Sequence, residues 1–441
     1  MESLVKNKKT AAAVVFIAGL IICIGIFVRD SFGIDINKFL FLAVAVVPIL
    51  ILPIGDVAVF AALLIPMYVG LPGNYITLVF LVRFILSAFL GSIKVTFGAF
   101  ISSFAVTVYF LIHNLYFGKT TAYHLAGTFD FFLLMLIIAA VIQYEKTREV
   151  VFAYSIGVSA TSVTMLTSTL RFYTLAELMN NASRLGYTGM LYENSDALMI
   201  STIDPNFNAM NVIAMVAASY LLMTNTKMTL KAKIALISIM AGSLVVCAIG
   251  LSRTFAIVVV VWAVLVFLSE NNFKRTLVFV LLGGLAFLGF INLLPDVYES
   301  ILSRFDDIDV VGANGRFEWI MYRLDKWKDN FGTVMFGEGI YNVNTHCTPI
   351  LYLIGLGIIG FIILFVWCVI NTINVAKAGE KLTLSKWIPL IVTFIAFSTI
   401  PSAGAVNWTF PMVVALLSLS IKKENIDTGL ENNQIKTSVL T

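Results

Sequence analysis

The sequence predicts an all-α, polytopic integral membrane protein, with about 14 transmembrane helices and two long extracytoplasmic loops. Three observations predict it. Of its 441 residues, 59% are hydrophobic and only 12% are charged, with a mean hydropathy of +0.95; this exceeds what a soluble core of that size needs. Apolar runs of about 16 to 24 residues recur along the chain, each long enough to cross roughly 30 Å of hydrocarbon. Threading those runs through a bilayer also places most lysines on one side, as the positive-inside rule requires.

The runs begin near Ala11, Phe39, Val57, Tyr75, Val95, Thr128, Val150, Phe207, Lys233, Thr254, Thr276, Cys347, Trp387 and Trp408. The basic stretch before Ala11 looks like a secretory leader, but no small-residue cleavage site follows, so the first run is read as a retained span. Up to Gln143 the spans are tightly spaced, with Leu71-Pro72-Gly73-Asn74 as a turn signal. Residues 1–424 form one transmembrane domain; the polar tail 425–441 is expected to be a disordered cytoplasmic segment.

Orientation follows from the basic residues. With both termini cytoplasmic, the inside set includes Lys6, Lys8, Lys9, Lys94, Lys146, Arg148, Lys227, Lys231, Lys233, Lys274, Arg275, Lys377, Lys381, Lys386, Lys422, Lys423 and Lys436. The outside set is Arg29, Lys38, Lys119, Arg171, Arg184, Arg253, Arg304, Arg316, Arg323, Lys326 and Lys328. Lysine dominates the first group and arginine the second. Lysine is the generic orientation signal, whereas the planar guanidinium fork suits phosphate or carboxylate oxygens. The net charge of +4 is too small and too dispersed to imply nucleic acid.

Within the apolar runs, Arg83 must face protein or a hydrated cavity, either bonded to carbonyls or an internal partner, or lining a substrate path. Asp56 after Gly55 reads as a helix cap. Cys23, Cys247, Cys347 and Cys368 have no partner at metal-ligand spacing and read as small buried hydrophobes.

The two long outer loops span about residues 168–206 and 295–345. The first holds Arg171, Arg184-Leu185-Gly186 and Asp204-Pro205-Asn206, whose proline opens a helix and whose Asp or Asn oxygens suit its cap. In the second, Phe317, Ile320, Met321, Leu324 and Trp327 recur at helical spacing, predicting an amphipathic helix lying flat in the outer interface. A flexible Phe336-Gly337-Glu338-Gly339 turn follows, then Asn344-Thr345-His346. After His346 comes a helix whose glycines, from Gly355 to Gly360, permit close packing of neighbouring helices. Leu251-Ser252-Arg253 sets one more arginine on an outer hairpin.

Taken in order, Arg184-Leu-Gly, Asp204-Pro-Asn206, Leu251-Ser-Arg253, Gly315-Arg316 with Trp319, Gly337-Glu-Gly339, and His346 before a Leu-x-x-x-Gly-x-x-Gly helix resemble the bacterial O-antigen polymerase and O-antigen ligase superfamily of membrane glycosyltransferases. The resemblance covers about residues 184–360. The family often shows His-Asn where Cys347 follows His346 here, which leaves open which amide assists. The resemblance implies a bacterial cytoplasmic (inner) membrane enzyme acting on oligosaccharide linked through pyrophosphate to undecaprenol. It also implies no metal or other cofactor, and a flippase and a chain-length regulator as partners. Catalysis would fall to His346, Arg253 and Arg316, with Arg184, Asp204, Asn206, Glu338, Tyr341 and Asn344 around the substrate. Polymerisation of O-antigen, capsule or exopolysaccharide is the first expectation; ligation to the lipid A core of lipopolysaccharide and transport of the lipid-linked sugar are the alternatives. Histidine suits a base at neutral pH, and arginines can stabilise a diphosphate leaving group.

Overall fold

The computed structural model describes residues 7–171, 174, 205–250, 253–269, 288–289, 291–292, 295, 298–299, 316–343, 345, 347–399 and 406–424. Among the described residues every regular element is helical. In chain order they are α1 Lys8–Phe32, α2 Lys38–Ile51, α3 Ile54–Leu64 with a 3₁₀ extension Ile65–Gly70, α4 Gly73–Phe89, α5 Phe97–Tyr116, α6 Ala122–Gln143 and α7 Thr147–Thr169. Then follow α8 Pro205–Asn225, α9 Leu230–Ile249, α10 Arg253–Ser269, α11 Arg316–Lys328, α12 Phe331–Phe336, α13 Thr348–Ala378, α14 Leu384–Phe397 and α15 Val406–Leu417.

Seven of these, α1, α5, α6, α7, α8, α9 and α13, are long and apolar enough to cross a membrane. The apolar helices of α2, α3, α4, α10, α14 and α15 are shorter, at 10–17 residues. Most of the run expected from Thr276, most of the first long loop, part of the second and the tail from 425 lie outside the described residues. In α3 the sequence pattern alone misjudges the helix: it starts at Ile54, and after Leu64 the backbone tightens into 3₁₀ turns at Pro66, whose ring and missing N–H oppose a further α-turn.

The bundle is centred on α3, α6, α7 and α8. Nearly every side chain of α3 is buried, and 83% of the apolar window of α8 is buried, against 28% for α1 and α9, which lie at the margin. The central helices are joined by hydrogen bonds as well as apolar packing: Ser162 donates to Asn208 at 3.0 Å, and Tyr154 to Asn211 at 2.8 Å. Lipid offers no partner for these groups, so satisfying them inside the bundle favours helix association. Asn208 also donates to the Cys247 sulfur at 3.4 Å. Of the four cysteines only Cys247 is fully buried; Cys23 and Cys347 are partly so, and Cys368 is exposed on the wall of a cleft, a correction to the reading of all four as buried.

Arg83 is buried and bonds to carbonyls. Its Nε donates to Ile49 O at 2.9 Å and its NH2 to Leu52 O at 3.1 Å, while NH1 donates to Ser87 Oγ at 2.9 Å. The cause is in the primary structure. Pro53 has no N–H to close the helical bond to Ile49, and the first amides of α3, on Asp56 and Val57, turn back to Pro53 O, so Leu52 O is left over as well. One guanidinium fork satisfies both carbonyls at the break between α2 and α3.

At one end of the bundle Lys146 pairs with Asp56 at 2.9 Å, Lys422 pairs with Glu145 at 3.0 Å, and the Glu424 carboxylate accepts the Lys227 amide. Three lysines that the threading sorts to one side therefore share one end. At the opposite end, Arg29 forms a two-point pair with Asp30 and donates to Gly70 O at 3.0 Å, and Arg171 donates to Asp30 O at 3.0 Å.

Candidate functional site

The arginine-bearing end is also where the 295–345 loop returns. Helix α11 forms as the apolar spacing predicts, with Glu318 in its first turn and Lys326 and Lys328 in its last, charges that complement the helix dipole. Of its described aromatic side chains only Trp327 is buried; Trp319 and Tyr322 are exposed. The Trp327 indole donates to Thr333 O at 2.9 Å and the Thr333 hydroxyl to Trp327 O at 3.0 Å, folding α11 back on α12. Asn330 caps α12 through the Gly332 amide.

Past α12, the Gly337-Glu338-Gly339 turn docks into a break in α13. Gly357 has φ 69° and ψ 178°, a conformation reached essentially by glycine alone, so the helical ladder is interrupted there. The carbonyls this frees find new donors: Glu338 N reaches Ile354 O at 3.0 Å and Gly339 N reaches Gly355 O at 3.0 Å. The Tyr109 hydroxyl lies against the Leu356 and Phe336 carbonyls, and His113 Nε2 donates to Phe336 O at 2.9 Å. The approach is backbone to backbone, for a Cβ on Gly337 would fall 2.2 Å from Gly355 O. The sequence leads one to expect neighbouring helices against the glycines of α13. At Gly355 and Gly357 they admit a loop instead, and only Gly360 receives a helix side chain, the Tyr109 ring.

Glu338 lies within this turn, its carboxylate 2.7 Å from NH2 of Arg323 on α11. Three residues on, the half-buried Tyr341 meets His124 edge to face at 4.5 Å between centroids and Tyr123 at 5.7 Å. Burial first, then the nearby Tyr123 and Asp130 groups, push the Tyr341 phenol well above its ordinary range. Burial likewise raises the thiol of Cys347, the residue capping α13. Asn206, in the first turn of α8 directly after Pro205, is buried. The backbones of Arg253 and Arg316 open α10 and α11. Their side chains, and all of Arg184, Asp204, Asn344 and His346, lie outside the described residues; Glu338, Tyr341 and Asn206 lie within them.

One residue of this region escapes the sequence pattern. Asp130 is 2% exposed, and its Oδ2 has no hydrogen-bond partner among the described residues. It lies on α6, two turns from Tyr123, whose ring meets Tyr341 at 5.7 Å between centroids; Tyr68 donates to Asn74 at 2.6 Å. The apolar pattern starts near Thr128, which puts Asp130 at its margin. Helix α6 in fact begins at Ala122 and carries the carboxyl two turns inward. An acid inside an apolar run is the available signal.

No family model matches the chain, and a search of curated proteins finds no significant match.

Proposed function

We propose that the protein is a polysaccharide polymerase of the O-antigen polymerase and ligase type, a multi-pass protein of the bacterial cytoplasmic membrane with about 14 spans and both termini cytoplasmic. It would transfer a growing glycan from undecaprenyl pyrophosphate to a lipid-linked repeat unit at the outer face. The observation that supports this best is the meeting of two stretches on which the resemblance rests: Gly337-Glu338-Gly339, shortly before His346 in the chain, lies backbone to backbone on Gly355 and Gly357, shortly after it. Such a fit gives the loop a fixed seat at the end of the bundle that carries Arg29, Arg171 and Arg323.

In this reading His346 takes the proton from the acceptor sugar hydroxyl, whose oxygen bonds to the anomeric carbon. The bond from that carbon to the pyrophosphate oxygen breaks, and Arg253 and Arg316 stabilise the departing diphosphate. Arg184 meets a phosphate or acidic sugar, Asp204 and Asn206 shape their loop, and Glu338, Tyr341 and Asn344 border the substrate. Replacing His346 with alanine in protein that still folds and inserts is expected to abolish polymer; retained chain extension would remove the assignment.

Asp130 favours a second reading, a transporter of lipid-linked sugar, because a translocation path needs ionisable groups within the spans. Purified protein in vesicles separates the two: a ladder of longer glycans without any gradient supports the polymerase, and movement of repeat units without bond formation supports transport.

A further inference from the structure

Helices α13 and α14 follow one another through a turn of a few residues, yet they hardly touch. Each packs on different partners. Helix α13 lies on α5, tied by the Trp367 indole donating to Ser103 Oγ at 2.8 Å; α14 lies on α8 and α10, its end joined to α10 by the Thr254 and Thr399 hydroxyls at 2.9 Å. Between the splayed arms runs a slot of about 660 Å³. It starts at Pro349 and Tyr352, just after the loop enters α13, and reaches Thr372 and Trp387 near the opposite end of the bundle. No lining residue is charged, and aromatic rings such as Phe361, Phe365 and Phe394 form much of the wall. Phe365 and Phe394 are 61% and 50% exposed, so the slot opens on the lipid-facing surface.

A cavity with such walls gives water few partners, and in a bilayer it fills with hydrocarbon. Its course along the helices fits one extended chain with a head at one end, and the flat rings offer contact to a methyl-branched chain along that course. We propose that the slot holds the polyisoprenoid tail of a lipid-linked substrate, with the phosphate-bearing head at the Pro349–Tyr352 end. This rests on the polymerase reading for the nature of the lipid, and on the cavity alone for its place. The tail then delivers the head to the segment between Tyr341 and Thr348, where the loop meets α13.

The test uses the full-length protein in nanodiscs with a polyprenyl phosphate that bears a diazirine on its tail and no sugar, followed by peptide mass spectrometry. Label is expected on α13 and α14 peptides that line the slot, and a diazirine phosphatidylcholine at equal mole fraction should label them far less. Filling the slot with Leu390→Trp or Ile391→Trp is expected to cut labelling by about tenfold or more, while Ile362→Trp, on the exposed face of α13, leaves it unchanged. Should the filled variants fail to fold, excess unlabelled polyprenyl phosphate must compete away the label on the unaltered protein. Equal labelling by phosphatidylcholine, label spread evenly around the bundle, or failure of that competition would overturn the proposal. Because no sugar is transferred, a labelled slot in a protein that makes no polymer refutes the polymerase reading only, and polymer made by a protein whose slot stays unlabelled refutes the slot only.

Discussion

Replacing Gly357 with alanine tests whether the break in α13 holds the loop. At φ 69° and ψ 178° an L-residue is strained by about 1–3 kcal/mol. The new Cβ would also lie 2.4 Å from Gly337 N and 2.5 Å from Met335 O, backbone atoms that cannot swing aside. The turn must therefore leave its seat and lose the bonds from Glu338 N and Gly339 N, each contributing about 0.5–1.5 kcal/mol net. Together the loss is about 2–6 kcal/mol, confined to the loop and the outer part of α13. Gly91 provides the control, for it has φ +72° and no atom within 4 Å of where a Cβ would stand, so Gly91→Ala carries conformational strain of about 1–2 kcal/mol alone. Thermal unfolding followed by tryptophan fluorescence, with hydrogen exchange at the Glu338 and Gly339 amides, reads both effects. Gly357→Ala should lower the midpoint more than Gly91→Ala and should expose those two amides. If the two variants match in midpoint and in exchange, the seat is not held by the contacts described.

At the α2–α3 break, Arg83→Met leaves the Ile49 and Leu52 carbonyls without donors, and each unsatisfied buried group costs about 1–3 kcal/mol; a lower unfolding midpoint is expected, with Arg83→Lys between the two because a single ammonium lacks the fork. An unchanged midpoint in Arg83→Met would refute the carbonyl role. Asp130→Asn keeps the shape of the side chain and removes an ionisable group whose Oδ2 is unpartnered among the described residues, so the midpoint is expected to hold or rise by an amount on the order of 1 kcal/mol. If Asp130 serves only packing, transfer activity in the same variant stays at its original level; stability retained with activity lost identifies a functional carboxyl.

Much of the architecture is legible because lipid imposes simple rules on composition. Apolar length places the helices, and α11 is visible from Phe317 to Trp327 because one face of a helix recurs every three or four residues. What the pattern misses depends on partners far away in the chain. Arg83 looks like a costly charge until Pro53 explains two spare carbonyls 31 and 34 residues away. Asp130 looks marginal because apolarity marks where a run becomes hydrophobic, whereas α6 starts six residues earlier, at Ala122, and includes Tyr123, whose amphipathic ring suits an interface.

From composition and spacing alone follow a helical chain with runs apolar enough to cross a membrane, the expectation that lysines and arginines sort to opposite ends, and the glycine-rich stretches as places of close approach; these are consequences of local chemistry repeated along the chain. Only the folded bundle decided that Gly337-Glu338-Gly339 would be the group approaching Gly355 and Gly357, that Glu338 would hold Arg323, and that α13 and α14 would stand apart around a slot. Those outcomes depend on which surfaces meet between segments distant in the chain, and a helix's own sequence records that it can be approached closely without recording by what.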